Sequence, residues 1–144
     1  MKISGSYVFN APAERVWDVL LDPKTMANCM PGCEKLDPIG DDQYQAVLSV
    51  GIGPIRGRYN AKITMRDKVP QQSYRLVVEG TGANGFANGD ALITLTEHDG
   101  KTTVQVDGES QVGGTVARVG QRMMGSAAQM MLGRFFSCLQ ESTG

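Results

Sequence analysis

Three cysteines and a single histidine are the side chains of this 144-residue sequence best suited to metal or redox chemistry. Cys29 and Cys33 flank Met30-Pro31-Gly32, and Cys138 lies near the far end of the chain. A zinc site needs roughly four ligands, and the one histidine, His98, belongs to the exposed turn His98-Asp99-Gly100. The two-residue spacing of thioredoxin-type thiols is absent. The cysteines therefore read as buried structural thiols, and so small and odd a number of them fits a reducing, cytoplasmic setting. Gly51-Ile52-Gly53-Pro54 is glycine-rich in the manner of a phosphate loop. No Lys-Ser or Lys-Thr follows it, and a strand comes next instead of a helix, so it reads as a hairpin turn. Gly80, Gly82, Gly85 and Gly89 fail the same test.

The bulk properties narrow the classes further. Residues 1–144, 15.5 kDa, make one domain. Fourteen Lys and Arg against fifteen Asp and Glu leave a net charge of −1, so no global field draws nucleic acid. No apolar run approaches the roughly 20 residues that span a bilayer. Met1-Lys2-Ile3-Ser4 turns polar too soon for a signal peptide.

Residues 2–10 alternate Ile3, Gly5, Tyr7 and Phe9 against polar neighbours, a strand pattern. Asn10-Ala11-Pro12 opens a helix whose apolar face is Ala13, Val16, Trp17, Leu20 and Leu21. Asp22-Pro23 opens a second, short helix to about Cys29, and Met30-Pro31-Gly32 breaks it. From there to residue 112 the pattern is antiparallel strand. Ile55, Gly57, Tyr59, Ala61, Ile63 and Met65 alternate with Arg56, Arg58, Asn60, Lys62, Thr64 and Arg66, giving one dry face and one wet face. Tyr44 to Ile52, Tyr74 to Gly80, Ala87 to Leu95 and Thr102 to Val112 repeat it. Gly113-Gly114 ends the strands, and Thr115 caps a last helix to about Glu141 with a stripe of Val116, Val119, Gly120, Met123, Met124, Ala127, Met130 and Met131. The fold expected is α+β and helix-grip. A curved antiparallel sheet of about seven strands wraps a long C-terminal helix, and two short helices follow the first strand.

The inward positions are unusually small: Gly57, Ala61, Gly80, Ala87, Gly89, Ala91, Gly108 and Ser110. Some of these glycines serve bulges and bends. Over four strands they also remove volume, and methionine on the facing helix lines adaptable apolar space. A cavity results, which a larger side chain at Ala127 or Gly108 would fill. None of the inward strand positions is Asp, Glu, His, Lys or Cys, so general acid–base catalysis has no group to work with. The inward polar groups are the hydroxyls of Tyr44, Tyr59, Tyr74, Thr102 and Ser110. That combination favours binding a lipid-like molecule over catalysis. The candidate pocket residues are Trp17, Leu20, Met26, Met30, Leu48, Ile55, Tyr59, Phe86, Ile93, Met123, Ala127 and Met130.

A second apolar stripe, Leu132, Phe135, Phe136 and Leu139, is rotated from the methionine stripe and interrupted by Arg134. It packs on the first helix, on the N-terminal strand or in a dimer, or it is a membrane- or partner-contacting tip beside the pocket mouth.

Particular strings carry a family resemblance. Met26-Ala27-Asn28-Cys29-Met30-Pro31-Gly32-Cys33-Glu34, "VGIGPIRGRY" at 50–59, "GANGFANGDA" at 82–91, "VGGTVARVG" at 112–120 and Phe135-Phe136 resemble the CoxG family of carbon monoxide dehydrogenase subunits. The resemblance implies a START-like fold of the polyketide cyclase and lipid-transport superfamily. It implies a non-catalytic accessory role beside a molybdenum-containing carbon monoxide dehydrogenase or related molybdenum hydroxylase, recruiting that enzyme to the inner face of the cytoplasmic membrane. The ligand implied is a respiratory quinone of the menaquinone type; the molybdenum cofactor would belong to the partner. Anchored members carry a tail and hydrophobic segment after the domain, where this sequence ends at Gly144. Two other readings stand beside it: a small cyclase- or dehydratase-like enzyme on the same fold, and a recruitment adaptor whose pocket is incidental.

Overall fold

The period-two alternation becomes seven antiparallel strands in one sheet, ordered β1-β7-β6-β5-β4-β3-β2. The computed structural model describes residues 2–52, 55–83, 85–114, 118 and 120–143. In chain order the elements are β1 (Lys2–Phe9), α1 (Ala13–Leu21), α2 (Pro23–Cys29), β2 (Cys33–Gly40), β3 (Gln43–Ile52), β4 (Ile55–Val69), β5 (Ser73–Gly82), β6 (Gly85–His98), β7 (Lys101–Gly113) and α3 (Gln121–Thr143). The two short helices carry the chain from one sheet edge, β1, to the other, β2. Hairpins then bring it back until β7 pairs with β1. This is the expected helix-grip architecture. Thr115, Val116 and Val119, the turn residues Gly53 and Pro54, and the side chain of Ile55 lie outside the described residues.

Local chemistry explains the helix starts. Asp22 accepts the Lys24 N–H at 3.3 Å and the Thr25 hydroxyl at 2.7 Å, and Pro23 follows it in the first turn of α2. No side chain of its own segment caps α1. Glu97, on β6, instead accepts the Ala13 N–H at 2.6 Å, placing a carboxylate at the helix N-terminus. Between α2 and β2, Gly32 has φ +75°, and a Cβ there would collide with the Ser49 carbonyl oxygen. Only glycine fits that turn.

The core lies between the sheet and the helices, where Phe9, Val16, Leu20, Ile93, Val106 and Leu139 are all buried. Thr102 is buried among them with its hydroxyl donated to the Ala11 carbonyl at 2.8 Å. The 23 residues of α3 span ~35 Å, and its second half is held from several sides. Phe136 stacks on Tyr7 with ring centroids 4.4 Å apart and meets Phe9 edge-on at 6.4 Å. Gln140 Nε2 donates to the Val8 carbonyl at 2.8 Å, and Arg15 donates to the Ser142 carbonyl at 3.3 Å.

One expectation is corrected here, and one pair of alternatives is decided. Cys29 and Cys138 are not separate thiols: they form a disulfide, with Cα atoms 5.3 Å apart, that ties α2 to α3. The packing of two helices distant in sequence makes this pair, so spacing along the chain did not reveal it. Cys33 is the free, partly exposed cysteine. Of the alternatives for the second stripe of α3, packing on the N-terminal strand holds, through Phe136 on Tyr7 and Phe9, and the outward membrane- or partner-contacting tip does not. Phe136 is 1% exposed and Leu139 0%; Leu132 and Phe135 are partly buried against the same core. Only Arg134 of that set faces solvent.

Candidate functional site

Register across the sheet creates the site. Ala46 pairs with Ala61, Ala61 with Gly80, Gly80 with Ala87, and Ala87 with Val112. Four strands in succession thus place glycine or alanine in one row, and Ala61, Gly80 and Ala87 of it form the floor of a hollow under α3. The cavity there has a volume of about 200 Å³. Its walls are Leu48 and Val50 from β3, Tyr59 from β4 and Val78 from β5, with Ser110 and Val112 from β7. Met124, Ala127, Ala128 and Met131 of α3, at i, i+3, i+4 and i+7, form the roof.

A smaller cavity of about 110 Å³ adjoins it, with Val78 bordering both. Leu76, Ala91, Ile93 and Val106 line it from the sheet, and Leu132, Phe135 and Phe136 from α3. Gly89 belongs to this second space, and a Cβ there would meet nothing within 4 Å. Gly108 behaves differently. A Cβ on it would stand 2.6 Å from the Asp90 carbonyl oxygen and 2.7 Å from the Ala91 Cβ. Gly108 therefore permits close strand packing and is not the cavity-filling position the sequence suggests. A larger hollow, about 920 Å³, is of another kind. It is edged by Lys2, Arg75, Glu79, Asp90, Asp107 and Glu109, and an Arg75–Asp90 ion pair of 2.6 Å lies along it. Those charged residues are outward, wet positions of the sheet, and with them this hollow lacks the apolar character of the other two.

Of the candidate pocket residues, Leu48, Tyr59 and Ala127 line the larger cavity and Ile93 the smaller one. Leu20 and Met26 are buried in the core, with Met30 partly buried against it. Trp17 meets Tyr74 edge-on at 5.6 Å, away from both cavity linings. Phe86, Met123 and Met130 lie outside, at 40%, 50% and 45% exposure. Phe86 stands at an outward position of β6, its ring over Gly113. Met123 and Met130 each precede the methionine that turns inward, a rotation of about 100° on a helix. Val78, Ala128, Met131 and the small row itself belong in their place.

The chemistry of the lining is limited. No carboxylate, imidazole, amine or thiol side chain is among the residues bordering the larger cavity. Ser110 donates its hydroxyl to the Asn88 carbonyl at 2.9 Å. The Tyr59 hydroxyl is buried without a hydrogen-bond partner among the described residues. Burial pushes the Tyr74 phenol well above its ordinary value, and to a lesser degree that of Tyr7, so both stay neutral donors at physiological pH. Among the described residues no group of three or more His, Cys, Asp and Glu could hold a metal ion. No helix there is long and apolar enough to cross a membrane.

Comparison with known proteins places this geometry. Residues 5–144 match the model of CoxG, a family described as a subunit of carbon monoxide dehydrogenase. No curated protein is significantly similar in sequence. A conserved protein from Geobacillus kaustophilus is similar in structure with a TM-score of 0.96 and 37% identity, over 99% of this chain and 95% of that one. The ZhuI aromatase/cyclase from a Streptomyces species is 14% identical with a TM-score of 0.69, over 99% and 93% of the two chains. A norcoclaurine synthase from Thalictrum flavum gives the same identity, TM-score and coverages. The latter two are alike in fold.

Proposed function

This chain belongs to the CoxG family of carbon monoxide dehydrogenase subunits, and we propose that within it the chain is a non-catalytic carrier of a respiratory quinone. A menaquinone-type molecule would occupy the cavity between the small-residue row and α3. The carrier would collect it at the inner face of the cytoplasmic membrane and present it to a molybdenum-containing carbon monoxide dehydrogenase. One observation carries this reading: the space under α3 is walled by apolar groups and hydroxyls, with no titratable acid, base or thiol at its lining other than the Tyr59 phenol. Burying isoprenoid carbon there is favourable by ~25 cal/mol per Å² of apolar surface.

The cavity is smaller than the roughly 300 Å³ at which drug-sized pockets begin, so a long-tailed quinone needs α3 to yield. The roof half of α3 is the half that can, because Arg122, Met123, Ser126, Gln129 and Met130 face solvent while the other half is clamped. A cyclase-like reaction finds no carboxylate or imidazole in the same lining. The reading is tested by reconstituting the partner dehydrogenase with menaquinone-containing liposomes. CO-dependent quinone reduction should require this chain; reduction at an equal rate without it would end the proposal.

A further inference from the structure

Tyr59 is 6% exposed, and its hydroxyl has no partner among the described residues. Buried donors without partners are uncommon in folded proteins because each has given up water for nothing. The ring's position is fixed by its surroundings. It lies over Gly82 of β5, where a Cβ would stand 2.8 Å from Tyr59 Cδ1 and 3.0 Å from Cε1. Leu48 faces it from β3. The other hydroxyl of the lining, on Ser110, is already engaged with the Asn88 carbonyl. Tyr59 therefore borders an otherwise apolar chamber and carries a buried hydroxyl with no hydrogen-bond partner among the described residues.

We propose that Tyr59 is the polar anchor of the site. Its O–H donates to a carbonyl oxygen on the head of the ligand, and every other contact is apolar. The ligand class is then a planar apolar carbonyl compound held by one hydrogen bond, and hydrocarbons of the same shape are discriminated against. This rests on the cavity being the quinone site, and it adds which atom reads the head group.

The test compares 2,3-dimethyl-1,4-naphthoquinone with 2,3-dimethylnaphthalene by calorimetric titration of the wild type and Tyr59→Phe. Both ring positions of this quinone are blocked, so the free thiol of Cys33 has no open ring carbon to add to. The wild type should bind the quinone about tenfold more tightly than the hydrocarbon. Tyr59→Phe should lose that preference and keep its hydrocarbon affinity, with a melting temperature equal to or above wild type. A variant that still prefers the quinone tenfold overturns the anchor and leaves the carrier reading standing. So does a wild type that binds both compounds alike. A melting temperature several degrees lower in Tyr59→Phe also overturns it, because the hydroxyl would then have a partner within the protein. A wild type that binds neither compound overturns the anchor and the carrier reading together.

Discussion

Tyr59 and Gly82 are register partners across β4 and β5, and the tyrosine ring fills the space a side chain on residue 82 would take. A tyrosine also covers Gly5, here from two positions along the same strand, where a Cβ would stand 2.7 Å from the Tyr7 hydroxyl. Glycine in these strands thus has two uses. At 5 and 82 it makes a seat for an aromatic ring; at 80 and 89 it leaves space that borders a cavity.

Gly82→Ala separates the first use from the second. The added methyl must displace the Tyr59 ring or the Arg58 carbonyl, which lies 2.8 Å away. Overpacking of this kind costs about 1–3 kcal/mol. Thermal unfolding should show that loss, and naphthoquinone affinity should fall with it because the hydroxyl moves.

Gly89→Val should act in the opposite sense. Its Cβ enters open space beside Val78 and Leu132, and valine suits a strand better than glycine. The melting temperature should hold or rise. Binding of long-tailed quinones should weaken while a tail-less naphthoquinone binds as before. Equal weakening of both would place the head group, not the tail, in the smaller cavity.

Reducing the Cys29–Cys138 bond should destabilise the fold far more than altering Cys33. The cross-link joins positions 109 apart, a closure for which chain entropy gives up to about 4–5 kcal/mol. Cys138→Ser should melt well below wild type under oxidising conditions and match it under reducing ones. Cys33→Ser should follow the wild type in both.

The acid limb of stability should depend on Asp22. The Thr25 hydroxyl and then the Lys24 N–H hold its carboxyl below the usual carboxylate range. A lowered folded-state value means the stabilisation is present above the unfolded value of about 3.9 and is lost as pH falls through the folded one. Asp22→Ala should cost about 1 kcal/mol at pH 7. The gap to wild type should narrow as pH falls below the unfolded value, as denaturant titrations at several pH values would read.

Most of the sheet was legible because its cause is local. A strand with one dry face must alternate, and the inward sets from Tyr44 to Val112 keep the register their alternation assigns, apart from Gly57, which is exposed, and Ile52 and Ile55, whose side chains lie outside the described residues. The α2 start was legible for the same reason, since Asp22 and Pro23 act within one turn. What escaped depends on contacts between distant segments. Glu97 caps α1 from 84 positions away, and Cys29 finds Cys138 only after α2 and α3 have packed. The methionine pairs 123–124 and 130–131 gave no local reason to choose one member over its neighbour. The sheet makes that choice by accepting Met124 and Met131. The Phe136 stripe was legible as an apolar face but not its partner, which is Tyr7 and Phe9 of the distant N-terminal strand.

The central claim is that the space above Ala61, Gly80 and Ala87 holds a quinone. Native mass spectrometry tests it most directly, on wild type and Ala127→Phe prepared side by side without detergent and exposed to menaquinone-containing vesicles. Ala127 roofs that space, and a phenyl ring there would occupy it. The account predicts a quinone-mass adduct on the wild type and none on the folded variant. A bare wild type, or an adduct equally abundant on both, would contradict it.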